Sequence, residues 1–183
     1  MLFPEISLSG YLSGGGDVTM SGSGMVVISA ANEAFTGSVT VGEGSSLSLE
    51  NVHALSQASG VTISKDSLLY LNTDGRFPVE LQKLHLGDGA ALAVESLPAS
   101  LTVNANQAAL SAHEITFASD GSIDIMFNDV LRTMQVYNVF AADNAVAITS
   151  IAGISMKVPI LCGMLPPGWC ILTMLFPSLL PLR

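Results

Sequence analysis

The sequence predicts an all-β fold: a parallel β-helix (solenoid) of about seven coils followed by an irregular apolar tail. Three observations carry that prediction. Apolar residues make up 49% of the 183 positions and charged residues 11%, with 17 Gly, a balance that suits short strands and small-residue turns. An eleven-residue unit with apolar first, third, ninth and eleventh positions occurs as VTVGEGSSLSL (39–49), VTISKDSLLYL (61–71), LHLGDGAALAV (84–94) and ITFASDGSIDI (115–125). Successive units begin at Val39, Val61 and Leu84, 22 and 23 residues apart, the period of a stacked coil in a repeat protein.

Each unit reads as strand, turn, strand. Two alternating apolar segments flank a polar stretch of Gly, Asp, Asn or Ser, so one face of each strand is expected in the core. The expected core positions are Val39, Val41, Leu47 and Leu49, then Val61, Ile63, Leu69 and Leu71, and their equivalents. A degenerate copy beginning LTVNANQAAL at Leu101 accounts for the longer gap before Ile115. The alternative is an antiparallel β-sandwich, whose hairpins favour Asp-Gly turns; Asp74-Gly75 and Asp88-Gly89 are the nearest candidates. The repeat region covers residues 1–156. Residues 157–183 break from it: they are apolar, interrupted by Pro159, Pro166, Pro167, Pro177 and Pro181, and carry both cysteines and the one tryptophan. Neither a membrane helix nor a barrel strand tolerates that proline spacing, so a truncated or out-of-frame tail is one expectation and a genuine apolar tail the other.

Charge and cysteine content narrow the function. A formal net charge of −9 with six basic residues gives no Lys/Arg cluster for a nucleic-acid backbone. Cys162 and Cys170 leave the first 161 residues without a thiol, so no disulfide framework or cysteine nucleophile is expected there. The leading MLFPEISLSG lacks the basic and apolar regions of a signal peptide. Unpaired end strands of a solenoid invite edge-to-edge self-association.

Residues 22–72 carry a family resemblance. Gly22-Ser23-Gly24, a strand at Met25 to Ser29, Ala30-Ala31-Asn32, Phe35-Thr36-Gly37, a strand at Ser38 to Val41, a turn over Gly42 to Ser46 and Leu47 to Asn51 follow in order. This resembles the autotransporter-associated β-strand repeat of bacterial passenger domains, and SIDIMFNDVLRTMQVYNVFAADNAVAI (122–148) is similar to the strand pairs that often close such arrays. The resemblance implies a non-catalytic structural or adhesive passenger segment, located at the cell surface, in the outer membrane or outside the cell, with surface glycans or proteins as partners. The family pattern continues into a membrane barrel, for which the residues after 148 are too few; self-export is therefore not expected of this chain, and a fragment is.

Candidate site residues are weighed against plain structural roles. Phe35, Thr36 and Gly37 are a recognition spot or core filling beside a tight turn. Glu43, Asp66, Asp88 and Asp120 fall at the fifth or sixth repeat position, where stacked turns would form an acidic edge for Ca²⁺ or a solvated one. Gly14-Gly15-Gly16-Asp17 is a single Gly-Asp copy of the kind that binds Ca²⁺ in tandem. His53, His85 and His113 lack neighbours at zinc spacing. A polysaccharide-degrading β-helix enzyme needs converging carboxylates, for which Asp120, Asp124 and Asp129 with Arg132 are the tightest cluster. Cys162 and Cys170 flank Trp169 and would need suitable geometry to pair. No catalytic, cofactor or metal residue is assigned, and the chain is not expected to be an enzyme; a polysaccharide-degrading fragment and a non-functional truncated product are the alternatives.

Overall fold

The computed structural model describes residues 4–96, 108–118, 122–127, 136–142, 153–157 and 171–175. They form fourteen strands and no helix: β1 (Glu5–Leu8), β2 (Val18–Met20), β3 (Met25–Ile28), β4 (Ser38–Val41), β5 (Ser46–Leu49), β6 (Gly60–Ile63), β7 (Leu68–Leu71), β8 (Val79–Leu86), β9 (Ala90–Val94), β10 (Leu110–Phe117), β11 (Ser122–Phe127), β12 (Val136–Ala142), β13 (Gly153–Lys157) and β14 (Ile171–Leu175). Odd-numbered strands build one seven-stranded sheet, here sheet I, and even-numbered strands a second, sheet II. The chain therefore switches sheets at every connection, and each strand lies beside the one two places earlier. Every ladder between the described strands is parallel.

The antiparallel sandwich is thereby corrected. Asp88-Gly89 joins β8 in sheet II to β9 in sheet I and closes no hairpin. Its glycine has φ 68°, and the equivalent positions in the two preceding units, Asp66 and Gly44, have φ 53° and 72°. A left-handed residue at the sixth repeat position turns the chain out of one sheet and into the other; Gly takes that conformation freely and Asp more readily than most side chains. Asp74-Gly75 likewise lies between β7 and β8, in different sheets.

The repeat positions stack in register. Val39, Val61, Leu84 and Ile115 are successive ladder partners in sheet II, as are Val41, Ile63, Leu86 and Phe117. In sheet I, Leu47, Leu69, Leu92 and Ile125 form one column and Leu49, Leu71 and Val94 another. All of these are buried except Phe117, which is partly buried against the rest. Both sheets contribute to one continuous cluster, and each fully buried aliphatic side chain contributes about 1.5–3 kcal/mol.

The structure differs from the sequence reading in two places. A fifth copy, VTMSGSGMVVI (18–28), precedes the others: Val18 and Met20 pair with Val39 and Val41, and Val26 and Ile28 with Leu47 and Leu49. The degenerate copy at Leu101 falls mostly on residues 101–107, which lie outside the described residues; β8 and β10 are direct neighbours from Val79↔Leu110 to Leu86↔Phe117. The apolar tail is not irregular throughout. Ile171–Leu175 pairs in parallel with β12, and it lies between Pro167 and Pro177, the longest stretch of the tail free of a residue that cannot donate to a ladder.

Candidate functional site

The two edges of the stack are built differently. Passage from sheet II to sheet I takes short turns such as 42–45, 64–67 and 87–89, whereas the return passes through longer connections such as 9–17, 29–37, 50–59 and 72–78. The long side is where irregular backbone needs side-chain support and where binding loops are found.

Asn32 supplies that support for the first rungs. It is 1% exposed, accepts from the Leu12 amide at 2.7 Å and donates from Nδ2 to the carbonyls of Ala54 at 3.0 Å and Ala30 at 3.2 Å. One side chain thus joins three successive connections through bonds 20 and 22 residues apart. Phe35 beside it is 3% exposed and belongs to the core, so the aromatic of the Phe35-Thr36-Gly37 segment is core filling. Thr36 donates its amide to the Gly14 carbonyl at 2.9 Å. Gly37 sits so close to the preceding rung that a Cβ there would lie 1.9 Å from the Gly16 carbonyl oxygen. Asp17, the acid of the single Gly-Asp copy, accepts from the Ser38 amide at 3.0 Å and hydroxyl at 2.8 Å. These two bonds, the amide's first, hold its carboxyl below the usual carboxylate value.

On the short side, Glu43, Asp66 and Asp88 occupy successive turns and are exposed to solvent. Asp66 donates its amide to the Asp88 carbonyl at 3.1 Å, and Lys65 lies 3.9 Å from its carboxylate. Turn serines stitch the same edge: Ser45 and Ser67, both buried, donate hydroxyls to the Gly22 and Gly42 carbonyls at 2.6 and 2.7 Å. Among the described residues, no three His, Cys, Asp or Glu side chains are grouped as metal ligands.

A polar recess lies where the chain departs from the minimal unit. β8 and β10 have eight residues each, twice the length of β4 to β7. Their alternation breaks in the middle. Val79 and Leu81 are buried, then Gln82 and Lys83 both face outward, and burial resumes at Leu84 and Leu86. Leu110, Ala112 and Ile115 follow the same pattern around His113 and Glu114. Two consecutive outward residues make a corner, tied across the strands by Lys83 and Glu114 at 3.1 Å.

The connection 50–59 packs along the first half of β8. The Glu80 amide donates to the Val52 carbonyl at 2.9 Å, Gln82 Nε2 to the Ser56 carbonyl at 2.7 Å, and His53 Nδ1 lies 3.2 Å from Glu80 Oε2. The result is an open groove of about 260 Å³ whose polar lining comprises Ser56, Gln57, Glu80, Gln82, Ser111 and His113. Hydroxyls, amides, an imidazole and one carboxylate suit hydrogen bonding to a polar ligand. Glycoside hydrolysis needs two facing carboxylates, and Glu80 is the one carboxylate among the lining residues.

The structure brings His53 and His113 to this region and separates His85, whose Nδ1 lies 2.8 Å from Thr116 Oγ1 on the outer face of sheet II. The backbone of Asp124 lies in β11. Asp120, Asp129, Arg132, Cys162, Trp169 and Cys170 lie outside the described residues. The groove residues Glu80, Gln82 and Ser111 are absent from the sequence-derived candidates. Their signal is the phase slip in VELQKLHL, where the apolar spacing passes from two to three between Leu81 and Leu84. No protein-family model matches the chain, no curated protein matches it, and no solved structure matches it.

Proposed function

We propose that the chain is a parallel β-helix serving as a non-catalytic structural and adhesive rod of the autotransporter-passenger kind, displayed at the cell surface or outside the cell, and that the groove over β8 and β10 is its recognition element. The observation that carries this reading is the in-register stacking of small repeat units into two parallel sheets with one shared core. Units that contact only their neighbours extend a rod at constant cross-section, and such rods present their surface to partners repetitively. The two-sheet alternation, the left-handed turn at the sixth position and the resemblance over residues 22–72 support the solenoid reading against an open pair of sheets.

The groove supports adhesion over catalysis. Its polar lining offers hydrogen bonds in several directions, and the chain's formal net charge of −9 disfavours anionic ligands. Neutral glycans or the polar surface of a protein are the partners that fit.

The test is binding with and without turnover. Purified chain is applied to arrays of neutral and acidic glycans and to immobilised surface proteins, and the same polysaccharides are assayed for release of reducing ends. Retention on neutral ligands, weakened by Gln82→Ala and unaccompanied by cleavage, is the expected result. Cleavage lost on Asp124→Asn would replace the adhesive reading with the enzymatic one. A chain that neither binds nor melts cooperatively would favour a non-functional product.

A further inference from the structure

The groove over β8 and β10 carries a single charge. With His neutral, Glu80 is the one charged side chain among its lining residues. Lys83 and Glu114, at the corner just beyond, pair with each other at 3.1 Å and cancel. The Glu80 side chain is 53% exposed and its Oε2 lies 3.2 Å from His53 Nδ1, one contact for a carboxylate that has about four acceptor sites. The groove is therefore a negative spot in a chain whose formal net charge is already −9, and it attracts a cation.

Neutral hydrogen-bonding groups surround that carboxylate. Gln82 Nε2 donates to the Ser56 carbonyl at 2.7 Å, which holds the side-chain amide in place and leaves its oxygen as an acceptor. Ser56 is itself 5% exposed, and among the described residues no protein group bonds its hydroxyl. Buried hydroxyls are ordinarily satisfied, so this one calls for a partner from the groove. The apolar residues of the lining, Leu81 and Ala112, are each 3% exposed and offer almost no apolar surface. The volume of about 260 Å³ lies just under the roughly 300–1,000 Å³ of pockets that enclose drug-sized ligands, which is room for a group the size of one sugar ring.

We propose that the groove is a subsite for an amino sugar, a hexosamine residue whose free ammonium lies against the Glu80 carboxylate while its ring hydroxyls bond Ser56, Gln82 and Ser111. The inference rests on the reading of this groove as the recognition element and adds the class of sugar. One carboxylate among several neutral donors and acceptors matches a ring that carries one amine and several hydroxyls. A lysine side chain of a protein partner brings the same charge, but its long methylene stem packs on apolar surface, which Leu81 and Ala112 do not supply. Acetylation of the sugar removes the amine's charge, and with it the attraction to Glu80.

The experiment titrates the full chain with β-linked tetrasaccharides of glucosamine and of N-acetylglucosamine by calorimetry, in low-salt buffer on the acid side of the amine's titration, and follows amide shifts by NMR. His53→Gln, which removes the imidazole beside Glu80, is titrated alongside. The glucosamine oligomer is expected to bind about fivefold more tightly, the upper end for a half-exposed ion pair, with shifts centred on the Gln82 and Ser111 amides and a preference that closes as salt rises. Glu80→Gln should bring the two oligomers to the same affinity, and Ser56→Ala should weaken both. Unchanged melting shows the variants folded; if Glu80→Gln is not, the salt response of the unmodified chain decides. A preference absent from both the unmodified chain and His53→Gln, one that survives folded Glu80→Gln or raised salt, or a lysine-rich peptide that binds as tightly as the glucosamine oligomer overturns the proposal. Binding of other neutral glycans alone overturns the amino-sugar assignment and leaves the adhesive reading standing, whereas binding of no glycan and no protein overturns both.

Discussion

Replacing Asn32 by Ala removes the side chain that ties three connections together, and its effect is calculable. The substitution leaves the Leu12 amide and the Ala54 carbonyl without the partners they have at 2.7 and 3.0 Å. Each buried polar group stripped of its partner costs about 1–3 kcal/mol, so a loss of about 3 kcal/mol is expected once partial rehydration is allowed for. In a stack of units the damage is local first. Exchange at the Leu12 amide should accelerate by roughly two orders of magnitude, which is about 3 kcal/mol at 1.4 kcal/mol per tenfold. Amides of β7 and β9 should change far less. Native-state hydrogen exchange with urea melts followed by circular dichroism measures both. A loss below about 0.5 kcal/mol, the level of ordinary surface substitutions, with Leu12 exchange unchanged, would refute the idea that Asn32 binds the rungs.

Other substitutions should sort by the same geometry. Leu69→Ala, at a 0% exposed position between Leu47 and Leu92, is expected to cost about 2–5 kcal/mol in urea unfolding. Gly37→Ala must push the chain off the Gly16 carbonyl and should cost more than Gly44→Ala, which has open space and a φ of 72° as its only obstacle; paired thermal melts compare them. The Asp17 carboxyl titrates below its usual value because Ser38 bonds its charged form. Its folded pKa is depressed, so its contribution is present above the unfolded pKa and is lost as pH falls through the folded one. An NMR titration should show that Ser38→Ala moves the Asp17 midpoint upward. Glu80→Gln, altering a His53–Glu80 contact whose side chains are 44% and 53% exposed, should change stability by less than about 1 kcal/mol in thermal melts.

The columns were legible because their chemistry repeats. Valine, isoleucine and leucine at fixed places around a polar turn specify which side of each strand is buried, and strand alternation does the rest. The copy at 18–28 is harder to see, because Met25-Val26-Val27-Ile28 is a continuous apolar run that hides its alternation. The segment at Leu101 carries the pattern but lies mostly outside the described residues, and β8 and β10 pair directly across the gap. Asn32 and Phe35 were visible as elements of a motif, but their work depends on Leu12, Ala54 and Gly14, about twenty residues away. The groove was least legible, because a corner between Gln82 and Lys83 matters only once β10 makes the same corner beside it.

The central claim is parallel, in-register stacking, and disulfide trapping tests it most directly. In a Cys162→Ser/Cys170→Ser background, Thr40→Cys is combined with Thr62→Cys, its ladder partner on the outer face of sheet II, or with His85→Cys one strand further on. Adjacent strands place Cα atoms about 4.8 Å apart, within the reach of a disulfide, whereas two spacings exceed it. Rapid oxidation of the 40/62 pair with none at 40/85 is the predicted result. Failure of the 40/62 pair in folded protein, or equal trapping of both, would contradict the account.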